Sequence, residues 1–463
     1  MKFQIYLYSL IIILSGCSSP KDKAIGVEAW TTSGDRTKLL DSTFIIFSNS
    51  KEVLPAIEID AFIKFQTMDG FGFALTGGSA MLLHQLDSVK LNQLLQELFD
   101  TNKGIGISYL RISVGASDLD DHVFSYDDLR IGETDSELKK FNLNYDTLHL
   151  IPMLKEILAI NPNIKIMASP WSPPIWMKTN QAAKGGSLKL EYYEVYAAYL
   201  ARYIKEMEQE KITIDAITIQ NEPENPNNTP SLLMTAPEQR DFVKNYLGPL
   251  FQKENIKTKI IIFDHNADHP EYPISILNDS IANTFIDGTA FHLYLGEVTA
   301  LSKVHSAHPT KNIYFTEQWT SGKGDFANDL QWHVENLIIG ASRNWSKSIL
   351  EWNLAADENY NPHTDEGGCT LCQGALTIGK EVKRNVSYYI IAHASKFVQP
   401  GSVRISSSES IDLPNVAFLT PAKRKVLIVL NKGKSAIKFK IKERENSFEV
   451  NVEPRTVSTF IWQ

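Results

Sequence analysis

The fold that this sequence predicts is α/β: a TIM (β/α)8 barrel with an additional β-sandwich formed from both chain ends. Three observations carry that prediction. Eight apolar strand candidates, each followed by a plausible helix, run from Gln66 to about Val398. Period-two strands without helical spacing flank them on both sides. Polar and carboxylate residues collect just past the apolar runs, at the strand–loop junctions where such barrels build their sites.

The barrel candidates are Thr67–Leu75, Ile107–Val114, Lys165–Ser169, Ala216–Ile219, Lys259–Phe263, Gly288–Leu293, Asn312–Thr316 and Ser348–Trp352. Between them Leu91, Leu94, Leu95 and Leu98 form an apolar helical stripe, as do Leu154, Ile157 and Leu158, and Phe242, Tyr246 and Leu250. Thr235-x-x-Glu238 reads as a capping box with Pro237 tolerated in the first turn. A doubly wound sheet would also alternate strand and helix, but Gly70-Phe71-Gly72 and Gly77-Gly78 lack the G-x-G-x-x-G phosphate loop. Before the barrel, Val27–Trp30, Phe44–Phe47 and Ile57–Ile59 alternate as strands; after it come Val403–Ile405, Val416–Phe418, Val426–Leu430, Ile437–Ile441, Phe448–Val452 and Val457–Ile461. The expected division is therefore 26–65 and 399–463 for the sandwich and 66–398 for the barrel.

The N-terminus reads as a targeting segment. Met1-Lys2 precedes an apolar stretch from Ile5 to Leu14, too short to span a bilayer. It ends in Leu14-Ser15-Gly16-Cys17, which resembles the lipobox of bacterial lipoproteins. On that reading residues 1–16 are a signal peptide, Cys17 carries acyl chains, and 17–25 is a tether. The expected location is then a bacterial membrane, on its outer-membrane, periplasmic or surface face. Cys369 and Cys372 are spaced C-x-x-C, which in an exported chain can close a small disulfide, free thiols being the alternative. The formal charge of −8 argues against a nucleic-acid partner. The 8 Trp and 17 Tyr lean towards a flat, hydroxylated ligand.

Reading across the strand ends gathers the candidate chemistry. Strand two offers Arg111 and Asp118, strand three Ser169 to Trp176, strand four Asn221 and Glu222. Strand five gives Asp264, His265 and Asn266; strand six His292 and Tyr294; strand seven Glu317 and Trp319; strand eight Trp352 and Asn353. Two glutamates ringed by Trp, His, Tyr and Asn are what a retaining glycosidase needs, one to attack the anomeric carbon and one to protonate the leaving oxygen. At about 5 Å and an effective dielectric near 20 their repulsion is roughly 3 kcal/mol, so one can keep its proton while the other ionises. The run Asp264 to His269 does not gather a ligand set, so neither a metal nor a cofactor is expected.

Asp69-Gly70-Phe71-Gly72, the run Ala168 to Asn180, Gln220-Asn221-Glu222-Pro223, His292-Leu293-Tyr294, Thr316-Glu317 and Trp352-Asn353-Leu354-Ala355 together resemble glycoside hydrolase family thirty. That family holds glucosylceramidases, β-1,6-glucanases and β-xylosidases. The resemblance implies Glu222 as acid/base and Glu317 as nucleophile. It also implies sugar-binding roles for Arg111, Asp118, Trp171, Asn221, His292, Tyr294 and Trp352. The sequence departs from mammalian glucosylceramidases at Gly367 to Gly374, which borders the leaving-group side. The expected substrate is therefore a β-glucosidic linkage such as that of β-1,6-glucan, with glucosylceramide, a simple β-glucoside or a β-xyloside as alternatives. A catalytically silent glycan-binding lipoprotein is the reading outside the enzyme class.

Overall fold

The computed structural model describes residues 26–46, 52–444 and 446–463. Cys17 and the expected targeting segment lie outside the described residues.

Eight parallel strands close into a barrel in the order Asn312–Glu317, Ser346–Asn353, Gly70–Ala74, Tyr109–Val114, Lys165–Pro170, Ala216–Thr218, Lys259–Ala267 and Ile286–Gly296. All eight expected runs supply a strand. The first begins later than the sequence suggests, because Thr67 pairs with Val403 in the sandwich rather than in the barrel. Gly70 makes the break: its φ is +153°, and a Cβ there would stand 2.6 Å from Ser108 Oγ. The interior is filled, as barrel interiors are, by Tyr109, Met167, Ala216, Ile261, Ala290, Tyr314 and Leu350, one from each of strands two to eight.

The helices pack outside by the stripes the sequence shows. Leu91, Leu94, Leu95 and Leu98 are buried on helix Ser88–Phe99, and Leu154 and Ile157 on Leu150–Ile160. The capping box forms: the Thr235 side chain accepts from the Glu238 N–H, and Glu238 Oε2 accepts from the Thr235 N–H at 2.7 Å.

Two small sheets of two and three strands lie in the loops after strands seven and eight, and strands from both chain ends form one nine-stranded sheet. Ala56–Thr67 is the hinge of this sheet, pairing antiparallel with Val403–Ser407 and, through Ala56 to Glu58, parallel with Ile437–Glu443. Register shifts along the first pairing fold the sheet over a core of Val27, Ile57, Ile405, Phe439, Ile441, Phe460 and Trp462. His393, on the last barrel helix, joins the two domains. Its ring nitrogens lie 2.9 Å from Thr32 Oγ1 and from Thr459 Oγ1, one from each chain end. Among the described residues no helix is long and apolar enough to cross a membrane.

Candidate active site

The site grows out of the way the strands stop. Asn221 and Glu222 follow the short fourth strand, where the Asn221 N–H donates to Pro170 O and the Glu222 N–H to Asp264 O. Glu222 then takes a left-handed φ of 46°, a conformation that costs a non-glycine residue energy and clusters at functional sites. This turns its carboxylate over the barrel mouth. Strand five carries the matching irregularity. Phe263 and Asp264 have φ values of 72° and 64°, and the pairing with strand six slips between Phe263 and His265. The bulge brings Asp264 inward, where it is wholly buried.

Glu317 ends strand seven. It accepts from Arg111 Nη1 at 2.5 Å and from the Tyr294 hydroxyl at 2.9 Å. Arg111 is fully buried, and it also donates to Asn221 Oδ1 at 2.7 Å, Asp264 Oδ2 at 2.8 Å and Ser169 Oγ at 3.1 Å. Its guanidinium lies over the Trp171 ring, 4.8 Å from the centroid, and Trp171 stacks on Trp352 at 5.3 Å. Glu222 Oε2 accepts from the side-chain amides of Asn225 at 2.7 Å and Asn228 at 3.1 Å. His292 sits between the carboxylates, with Nδ1 3.3 Å from Glu222 and 3.7 Å from Glu317, and Nε2 3.2 Å from Asp264. Carboxylate oxygens of Glu222 and Glu317 lie within 4.8 Å of one another and of a His292 ring nitrogen.

Charge assigns the protons. Burial opposes ionisation of Glu222, but the hydrogen bond and charge of His292, with His265 and Asn225, hold it down to about 2. Burial opposes charging of His292, yet Glu317, Asp264 and Glu222 push it up to about 9. The two shifts have one cause: the His292 ring facing Glu222 Oε1 at 3.3 Å favours the charged form of each partner. Burial, with the charge of Glu222, pushes Glu317 up from the ordinary carboxylate range against the pull of His292 and Arg111. The anion is nonetheless the form that the Arg111 and Tyr294 donors address. The sequence-based expectation that one glutamate keeps the proton does not include His292, whose ring stands between the two carboxylates. Asp118 is raised to about 8, by burial first and then by the charges of Glu317 and Glu222. It is therefore largely a neutral acid at pH 7, able to donate a hydrogen bond as well as accept one.

Arg111, Asp118, Trp171, Asn221, Glu222, His292, Tyr294, Glu317 and Trp352 thus converge on one mouth of the barrel. His292 faces protein carboxylates with both nitrogens, which places it behind the surface a sugar would touch. The Trp171 indole N–H is buried with no acceptor among the described residues. Cys369 and Cys372 are joined in a disulfide at the rim. The metal-like run divides: Asp264 and His265 turn into the site, while His269 pairs outward with Glu224 at 2.9 Å. Glu222, His292 and Glu317 have the spacing of a metal triad, but both His292 nitrogens already face carboxylates and its protonated form is favoured.

Asp264 is the residue that strand-end reading undervalued. It accepts from Arg111, from Thr218 Oγ1 at 2.8 Å and Thr316 Oγ1 at 2.7 Å, and it faces His292. Its signal was its place directly after the apolar run of strand five.

Residues 68–398 match the family described as the glycosyl hydrolase family 30 TIM-barrel domain, and 401–460 its beta sandwich domain. An endo-1,6-beta-D-glucanase of Aspergillus fumigatus is 32% identical over 393 residues, covering 79% of this chain and 78% of the relative. A putative glucosylceramidase of Caenorhabditis elegans is 29% identical over 442 residues, covering 89% and 83%. A solved endo-beta1,6-glucanase superposes with a TM-score of 0.89 at 34% identity, covering 94% of this chain and 99% of its own. With barrel, sandwich and paired glutamates in place, the chain belongs to glycosyl hydrolase family 30 and is a β-glycoside hydrolase.

Proposed function

We propose that the protein is a retaining hydrolase of β-glucosidic linkages, with β-1,6-glucan as its substrate class. The observation that carries the mechanism is the separation of Glu222 and Glu317, whose oxygens come within 4.8 Å. Retaining glycosidases hold their carboxyl groups about 5–5.5 Å apart, whereas inverting ones leave room for a water at about 6.5–9.5 Å.

On this reading Glu317 attacks the anomeric carbon from one face while Glu222 protonates the departing oxygen. The proton comes from His292 Nδ1, which keeps its Nε2–H towards Asp264 and so becomes a neutral imidazole. Once Glu317 is esterified its charge is gone, and Glu222 as the anion takes a proton from the water that hydrolyses the glycosyl-enzyme. Asn221, held by Arg111, meets the sugar 2-hydroxyl, and that contact strengthens in the oxocarbenium-like transition state. Trp171 and Trp352 supply an apolar wall, and Asp118 meets a sugar hydroxyl.

Relatives named as endo-1,6-beta-D-glucanases support the choice of linkage, and those named as glucosylceramidases define the competing leaving group. Two measurements test the proposal. Proton NMR of the first product from a β-glucoside is expected to show the β anomer; the α anomer would refute the covalent route. A screen of the purified enzyme on pustulan, laminarin, xylan and glucosylceramide is expected to favour pustulan. Preference for any of the other three reassigns the substrate. Acylation of Cys17 belongs to the same proposal, and mass spectrometry of the N-terminal peptide from a membrane fraction decides it.

A further inference from the structure

The Cys369–Cys372 pair takes no part in the chemistry above, yet it touches the groups that do. The Cys369 backbone amide is near enough to the Asp118 carboxylate to favour its charged form. Cys372, only 3% exposed, packs with Leu119, Trp171 and Trp352, and Cys369 and Trp319 border the same cluster. The surrounding segment reaches three strand-end loops. The Thr364 N–H donates to Asp118 O at 3.0 Å, past strand two. Thr229, on the loop that follows Glu222, donates from Oγ1 to Glu366 O at 2.7 Å. Beyond Glu317, Ser321 pairs with Cys372, and the Gly322 N–H donates to Leu371 O at 2.9 Å.

Between these ties the segment has little packing of its own. Asp365, Glu366, Gly367 and Thr370 are exposed, and Gly367 adopts a φ of 135° that side-chain-bearing residues avoid. Of the residues from 365 to 372, Cys372 alone is buried. The bridge ties half-buried Cys369 to Cys372, which is packed against Trp171 and Trp352, and so keeps the Cys369 amide beside Asp118.

We infer that the Cys369–Cys372 disulfide is a redox-dependent positioning element for the sugar site. Closed, it holds Asp118 and the Trp171–Trp352 wall in binding geometry. Opened, it frees Cys369 from Asp118 and weakens substrate binding more than the chemical step. A dithiol supplies the two electrons and two protons: the S–S bond breaks, two thiols form, and the reductant closes into its own disulfide. Half-buried Cys369 is the sulfur a reductant reaches. The inference rests on the reading of Asp118 and Trp171 as sugar contacts.

The test compares oxidised and dithiothreitol-reduced enzyme on an aryl β-glucoside, with Cys369 and Cys372 counted as free thiols by alkylation and mass spectrometry. The expected result is a KM about tenfold higher on reduction, kcat within about twofold, and recovery on reoxidation. Cys369→Ser with Cys372→Ser is expected to match the reduced enzyme and ignore reductant. In Asp118→Asn, reduction is expected to raise KM by less than in the native enzyme, since part of its effect passes through Asp118; an undiminished rise overturns that part of the inference. An unchanged KM in fully reduced enzyme overturns the inference. So does an equal fall of kcat and kcat/KM together with a lowered melting temperature, the mark of a merely structural bridge. If the oxidised enzyme hydrolyses no β-glucoside, the proposed function fails instead. Calorimetry with a gluco-configured iminosugar then decides the bridge: tenfold weaker binding on reduction supports it, and equal affinity overturns it.

Discussion

Asp264 and Arg111 meet at 2.8 Å, carboxylate to guanidinium, with no part of either side chain exposed. The pair is the keystone between the two glutamates. Arg111 extends from it to Glu317, and His292 extends from Asp264 to Glu222. Breaking a buried ion pair by removing one charge is expensive because the other stays buried and uncompensated. Asp264→Asn keeps the shape but puts an amide N–H against donors. The expected loss is about 3–5 kcal/mol in denaturant unfolding. A loss below about 1 kcal/mol would take Asp264 out of this central role.

The two glutamates are expected to respond differently to substitution. Glu317→Gln removes the nucleophile, so turnover of every β-glucoside should fall by about 10⁴-fold or more. Glu222→Gln removes proton delivery, which matters when the leaving oxygen is basic. Its loss should be about 10²–10⁴-fold on an alkyl β-glucoside. With a dinitrophenyl β-glucoside the first step should be nearly spared. Steady-state and burst kinetics on the two substrates check this, and equal losses on both would contradict the assignment.

Trp171 offers a cleaner probe of binding. Its N–H is buried and without an acceptor among the described residues, a state that costs free energy until a partner arrives. Trp171→Phe keeps an aromatic wall but deletes that donor. KM for a β-glucoside should rise about three- to tenfold, in line with one hydrogen bond of about 0.5–1.5 kcal/mol. The melting temperature should stay the same or rise. A large drop in melting temperature with unchanged KM would make Trp171 part of the core alone.

The barrel was legible because its strands are nearly continuous apolar runs with a polar switch at each C-terminal end, as Ala216 to Glu222 shows in seven residues. The same switch exposed Glu222 and Glu317. Less legible was the role of His292. Its place on strand six could be read, but the closeness of three carboxylates around one ring could not. That closeness depends on the bulge at Phe263 and Asp264, where left-handed backbone falls on residues that carry no glycine signature. The start of strand one was misplaced for a related reason: Thr67 to Leu75 looks unbroken in sequence, and only the Gly70 backbone divides sandwich from barrel. Asn225 and Asn228 were hidden in a polar loop whose folding back onto Glu222 leaves no periodic trace.

The His292 proton gives the last prediction. His292 is raised from 6.5 to about 9, so the stability it lends is complete below pH 6.5 and lost as pH rises through about 9. Glu222 is lowered from 4.5 to about 2, so its share is present above pH 4.5 and lost as pH falls through about 2. The same proton serves catalysis. With Glu317 ionised, kcat/KM on an alkyl β-glucoside should hold a plateau and then fall as pH climbs through about 9, when the Glu222–His292 couple loses its shared proton. In His292→Gln the couple is gone and Glu222 must carry the proton alone. Burial and the nearby charge of Glu317 raise it relative to the native enzyme, but it can no longer draw on a base that holds its proton to about 9. The alkaline limb should therefore move down by at least one pH unit on the alkyl substrate, and much less on a dinitrophenyl substrate that needs no proton. Parallel pH–rate profiles for native enzyme and variant settle the matter. An alkaline limb that stays put in His292→Gln would mean that the proton is not held between Glu222 and His292.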